Sequence, residues 1–276
     1  MTESRWPAWL ENFGFIGERR ALSLLCLSLL MAFYLFIGLT ALSQTPEIAP
    51  YMLAMVTVYG VAFFAIGAEW FWARWFAMGV AWSGVLEAAF GVLSILRMRA
   101  DLPPELLKLL LVFFAILGAL HGLAGAALLG PRVAERYDAR LDWRQRFRLD
   151  DQGALKLRRA VTRAATSLPM IIALALAPRQ QQSLAIEAAL GLTLVGLVAI
   201  LRGRGAGLLA LPVAAAALLG AAALNPLRYA ALDVNAASPL LPATFMPMLP
   251  LVAAGLLRAA FAPFARPIAR HLARRH

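Results

Sequence analysis

Seven or eight long apolar runs divide this chain, and its basic residues fall almost entirely into alternate gaps between them. That pattern restricts the fold to helices crossing a bilayer. In hydrocarbon only a segment that satisfies its own backbone hydrogen bonds is stable, and runs of about 20 apolar residues match the membrane thickness. Composition agrees, at 62% hydrophobic and 15% charged, against about 45–50% and about 25% for a soluble domain. The expected fold is an all-α polytopic integral membrane bundle of about eight transmembrane helices.

Eight spans can be drawn, at residues 20–43, 50–72, 76–96, 106–130, 163–178, 183–201, 206–224 and 243–263. The fifth is short and carries Pro169. The eighth follows Pro239 and Pro242 and carries Pro247 and Pro250 in its first turns, so its outer end should be extended or broken before a helix begins. With the N-terminus inside, 21 of the 26 Lys and Arg face the cytoplasm and five face outward. This asymmetry places both termini and the central loop on the cytoplasmic side.

Five regions follow. Residues 1–19 form an amphipathic interfacial segment, with Trp6, Trp9, Leu10 and Phe13 at helical spacing. Residues 20–130 are an aromatic-rich membrane region of spans one to four. Residues 131–162 are a basic cytoplasmic connector, read as an interfacial helix, a turn and a second basic helix. Residues 163–263 hold the Ala/Leu-rich spans five to eight, and 264–276 form a basic cytoplasmic tail.

The net charge of +11 would suggest nucleic acid in a soluble protein. Here the arginines flank apolar helices, so membrane lipids with anionic headgroups are the expected partners, together with proteins of a membrane assembly, and nucleic acid is not. Arg144, Arg146, Arg148, Lys156, Arg158 and Arg159 are the candidate docking residues for such a headgroup or partner. The plainer account is a basic connector lying on the headgroups. Arginine outnumbers lysine 24 to 2, a bias of GC-rich coding that points to a bacterial cytoplasmic (inner) membrane.

Cys26 is the single cysteine, which excludes an internal disulfide and a cysteine-based metal cluster. No P-loop, dinucleotide-binding turn, HExxH or GxSxG motif is present, so neither a catalytic residue nor a cofactor or metal is expected. Trp70, Trp72, Trp75 and Phe76 around Arg74 read as an interfacial aromatic belt with a snorkelling arginine. Glu69 and Glu187 read as boundary acids, solvated or paired at the surface.

Two ionisable residues lie deep in the drawn spans. Glu87 is about 17 Å and His121 about 14 Å from the cytoplasmic boundary at 1.5 Å per residue. A short loop joins spans three and four, so the two groups should meet, directly or through water. Gly79, Ser83, Glu87 and Gly91 make one stripe of small and polar residues, and Gly118, Gly122, Ala126 and Gly130 another, with Gly125 one turn from His121. Such stripes let helices approach closely. Glu87 and His121 are therefore the candidate intramembrane proton site; the alternative is one interhelical contact that fixes the bundle. Three function classes follow: a non-enzymatic scaffold or subunit of a membrane assembly, a proton-coupled transporter of a small solute or ion, and a lipid-modifying enzyme. The first comes foremost because no catalytic motif is present.

Overall fold

The structure is a computed structural model that describes residues 16–44, 46, 48–97, 99–100, 102–138, 141–176, 184–204, 206–224 and 248–273, with side chains to residue 261. Most of the 1–19 segment and Pro239, Pro242 and Pro247 lie outside the described residues. Ten α-helices are described: α1 (Ile16–Gln44), α2 (Ala49–Gly67), α3 (Ala73–Arg97), α4 (Pro104–Ala127), α5 (Pro131–Asp138), α6 (Trp143–Phe147), α7 (Asp151–Leu176), α8 (Leu184–Leu201), α9 (Gly207–Leu224) and α10 (Met248–Ala273). Among the described residues no strand occurs.

Six helices, α1 to α4, α7 and α8, are long and apolar enough to cross a membrane. The apolar parts of the other two, Gly207–Ala223 in α9 and Met248–Phe261 in α10, are shorter. Phe36, Phe64, Leu109, Leu184, Val195 and Leu209 project outward, each more than three-fifths exposed. An apolar perimeter of this kind suits lipid and is incompatible with water as the solvent.

The chain divides into two compact units, Met1–Leu141 and Asp142–His276. In the first, α1 packs on α2, α2 on α3, α3 on α4 and α4 back on α1, which closes a four-helix ring. In the second, α7 packs on α8, α8 on α9, α9 on α10 and α10 back on α7, a second ring of the same order. The α8–α9 contact depends on two glycines. A Cβ on Gly207 would collide with the Gly196 carbonyl oxygen and come within 2.8 Å of the Ile200 nitrogen. Only backbone fits there.

Three local expectations differ from what is observed. The helix that holds the fifth span begins before residue 163, so the basic stretch and the span form one element. Helix α7 runs unbroken from Asp151, because Asp150 accepts from the Gly153 N–H at 2.8 Å and the Ala/Leu/Lys/Arg run that follows favours helix. Pro169 sits inside α7, where it removes a donor without ending the helix. The polypeptide beyond residue 263 continues α10 as far as Ala273 and is not a separate element over that stretch.

The third difference concerns Arg74, which is buried and does not snorkel. It donates from Nε to the Leu128 carbonyl at 2.9 Å and reaches Asp138 at 3.3 Å. Trp75 Nε1–H donates to the other Asp138 oxygen at 2.8 Å, so Trp75 belongs to the interior, whereas Trp70 remains half exposed. Glu69 is also buried, and its Oε1 accepts from Arg20 at 2.8 Å and from Arg136 at 2.5 and 2.9 Å. Glu69 raises the Arg136 pKa above its already high value, first by hydrogen bonding and then by charge. With Tyr137 donating to the Ile66 carbonyl at 3.2 Å, these contacts clamp α5 onto the turn between α2 and α3. Glu187, in α8, is exposed.

Candidate functional site

The first ring carries a polar group from each of its four helices into its interior: Tyr34 from α1, Tyr59 from α2, Glu87 from α3 and His121 from α4. All four are buried, Glu87 at 8% exposure and His121 at 0%. The local reason is shape. Gly84, one turn before Glu87, faces His121, and a Cβ at that position would overlap the imidazole ring. The absence of a side chain there lets the ring enter between the helices.

His121 is held at both nitrogens. Nδ1 lies 2.7 Å from the Leu117 carbonyl oxygen, which can only accept, so Nδ1 carries a proton. Nε2 lies 2.5 Å from the Tyr59 hydroxyl. The Tyr59 and Tyr34 rings stack at 4.9 Å, and the two residues interact electrostatically. Tyr34 then reaches Glu87 Oε2 at 3.4 Å, at the long limit for a hydroxyl bond. Glu87 Oε1 is buried and has no hydrogen-bond partner among the described residues. Tyr51, also buried on α2, interacts electrostatically with Glu87 and Tyr34.

No hydrogen bond joins Glu87 directly to His121 among the described contacts. Tyr34, on α1, contacts Glu87 and Tyr59, on α2, contacts His121, and the two tyrosine rings stack on each other. Tyr34 reads in the sequence as an ordinary polar residue, and Tyr59 gives no separate signal. Nor is the glycine stripe of α4 its packing face: Ala126 is exposed and a Cβ on Gly122 would meet nothing within 4 Å. The inward face is Leu117, His121, Ala124, Gly125 and Leu128, with Gly125 against Ala81 and Gly118 at the rim against Ala88.

With a bond closed between the Tyr34 and Tyr59 hydroxyls, the four groups would have two hydrogen-bonding directions. In one, Glu87 donates to Tyr34, Tyr34 to Tyr59 and Tyr59 to His121 Nε2, with every group neutral. In the other, imidazolium donates to Tyr59, Tyr59 to Tyr34 and Tyr34 to a carboxylate. Three protons each move one position between them, and none is gained or lost.

The basic residues expected to dock a partner lie in the second unit. Arg144, Arg146, Arg148 and Arg159 are exposed, and Lys156 and Arg158 are half-buried. Arg144 pairs with Asp151 at 2.8 Å. Arg146 and Arg148 border a cleft of about 470 Å³ together with Arg202 and Arg204; Lys156, Arg158 and Arg159 do not line it. Among the described residues no group of three or more His, Cys, Asp or Glu is placed to hold a metal ion.

Compared with protein-family models, with curated proteins and with solved structures, the chain matches none.

Proposed function

We propose that the chain is a multi-pass protein of the bacterial cytoplasmic membrane in which the buried Glu87–Tyr34–Tyr59–His121 chain carries a proton, coupled to movement of a small solute or ion. Both termini and residues 131–162 then lie on the cytoplasmic side, the orientation that the 21 of 26 basic residues support. The observation that carries the reading is that each helix of the ring supplies one link. A shift of any helix changes the separations along this series, which would couple the position of the proton to the packing of the bundle. Burying an ion pair carries a desolvation penalty of several kcal/mol per ion in general, so the neutral direction belongs to the closed bundle. The charge-separated direction belongs to one that admits water.

The test is Glu87→Gln in purified protein and in vesicles. Infrared difference spectra on exchange into heavy water should contain a protonated-carboxyl band that is lost in Glu87→Gln and shifted in Tyr59→Phe. Solute uptake driven by an imposed pH gradient should vanish in Glu87→Gln while helical content and Tm are retained, because Gln keeps hydrogen bonds but does not titrate. Uptake equal to wild type in Glu87→Gln would overturn the reading.

The double hold on the His121 ring favours a second reading, in which the four groups only lock the helices of a non-enzymatic assembly subunit. It predicts no proton-driven uptake in the wild type and a lowered Tm in both Tyr59→Phe and His121→Asn.

A further inference from the structure

The four-arginine cleft of the second unit is built at the level where the apolar helices end. Arg202 directly follows α8, and the turn into α9 is fixed by its backbone. Gly203 takes φ +76°, its N–H bonds to the Ile200 carbonyl at 2.9 Å, and the Arg204 N–H bonds to Ala199 at 2.9 Å. This pair of bonds is a Schellman closure, and it seats Arg202 and Arg204 on either side of a rigid turn. Across the cleft, Arg148 caps the C-terminus of α6 with φ +50°, its N–H bonded to the Arg144 carbonyl, a left-handed conformation that costs a non-glycine residue.

Charge sets this cleft apart. The acids nearest in sequence are engaged elsewhere: Asp142 caps α6 through the Arg144 and Gln145 N–H groups at 3.0 Å, Asp150 accepts from Gly153 and Asp151 pairs with Arg144. Arg146, Arg148, Arg202 and Arg204 have no carboxylate partner among the described residues. Arg146 makes only a 3.4 Å contact with the Leu201 carbonyl and approaches the Phe147 ring at 6.0 Å. Four arginines line one space together with Leu157, Ile200 and Leu208. A compact anion would neutralise the arginines, and an attached apolar chain would cover the apolar side chains.

We infer that this cleft binds the headgroup of an anionic phospholipid, with the phosphate among Arg148, Arg202 and Arg204 and the acyl chains leaving over Leu157 and Leu208. The site is independent of the proton chain in the first unit. It includes Arg202 and Arg204, which do not belong to the basic connector, and it leaves out Lys156, Arg158 and Arg159.

The test is native mass spectrometry of the whole protein with phosphatidylglycerol, phosphatidylcholine or inorganic phosphate added. Wild type should retain phosphatidylglycerol at least about tenfold more strongly than phosphatidylcholine. Arg202→Gln/Arg204→Gln should lose that preference, and Arg97→Gln, on the first unit, should keep it. Arg148→Gly is the decisive variant, since it relieves the left-handed strain. It should raise Tm and still weaken phosphatidylglycerol retention, a combination that a purely structural role cannot produce. Equal retention of the two lipids by wild type, or undiminished retention in Arg148→Gly, would overturn the inference. So would full displacement of the lipid by inorganic phosphate at matched concentration, which would make the site one for free phosphate.

Discussion

Gly84 illustrates how much of the site rests on a missing side chain. A methyl group there must displace the His121 ring, because the overlap involves the ring carbons as well as the distal nitrogen. The ring is already tied to Leu117 and Tyr59, so it cannot turn without losing a bond. Gly84→Ala should therefore destabilise the protein by about 1–3 kcal/mol, read as a lower Tm. The double variant Gly84→Ala/His121→Ala should recover most of that loss, and a purely additive double variant would show that the two residues do not share this space. Glu87 and His121 were legible as a pair because ionisable residues inside apolar runs are rare. The tyrosines that join them were not, because a phenol on a membrane helix is unremarkable until its neighbours are known. Gly84 was equally silent. It lies one position off the four-residue stripe, and nothing in a sequence separates a glycine that admits a ring from one that merely lines a helix.

At the scale of elements, helix α5 carries the clearest electrostatic commitment. Asp138 is 4% exposed and receives both Arg74 and Trp75. Arg74→Ala leaves that carboxylate buried without its charge partner and should lower stability by about 3–5 kcal/mol. Arg74→Ala/Asp138→Asn should restore part of it, since Asn still accepts from Trp75 and carries no charge. Chemical denaturation in detergent measures both, and equal stability of the two variants would exclude the buried pair as the cause. The sequence allowed Arg74 to be read as a belt residue because its partner lies 64 positions away. Positive charge beside tryptophans at a span boundary has the same pattern whether it points to lipid or to a carboxylate. The helical periodicity of Val133 and Tyr137 was legible, and both are buried. Which surface they cover depends on long-range contacts that periodicity does not encode.

For the whole molecule, the closed order of contacts within each unit has a consequence for folding. Helix α1 returns to α4, and α7 returns to α10, so each ring completes its interior from consecutive helices, an arrangement that favours independent formation. Four crossings per unit, as the sequence reading expects, would return the polypeptide to the side from which it started, so a break near Leu141 would leave neither part with an impossible topology. The eight apolar segments were legible because hydropathy and length suffice to find them. The closed order of contacts within each set of four was not, because hydropathy does not encode which helices pack together. The expected outcome is that residues 1–141 and 142–276, expressed separately, each insert into membranes and are recovered as folded, monodisperse species in mild detergent. The first fragment should retain the Tyr59–His121 contact, visible as a His121 imidazole NMR signal that moves in Tyr59→Phe. The second should retain phosphatidylglycerol as the whole protein does. If either fragment survives only when the other is co-expressed, the rings are not independent folding units, and their closure depends on contacts beyond their own four helices.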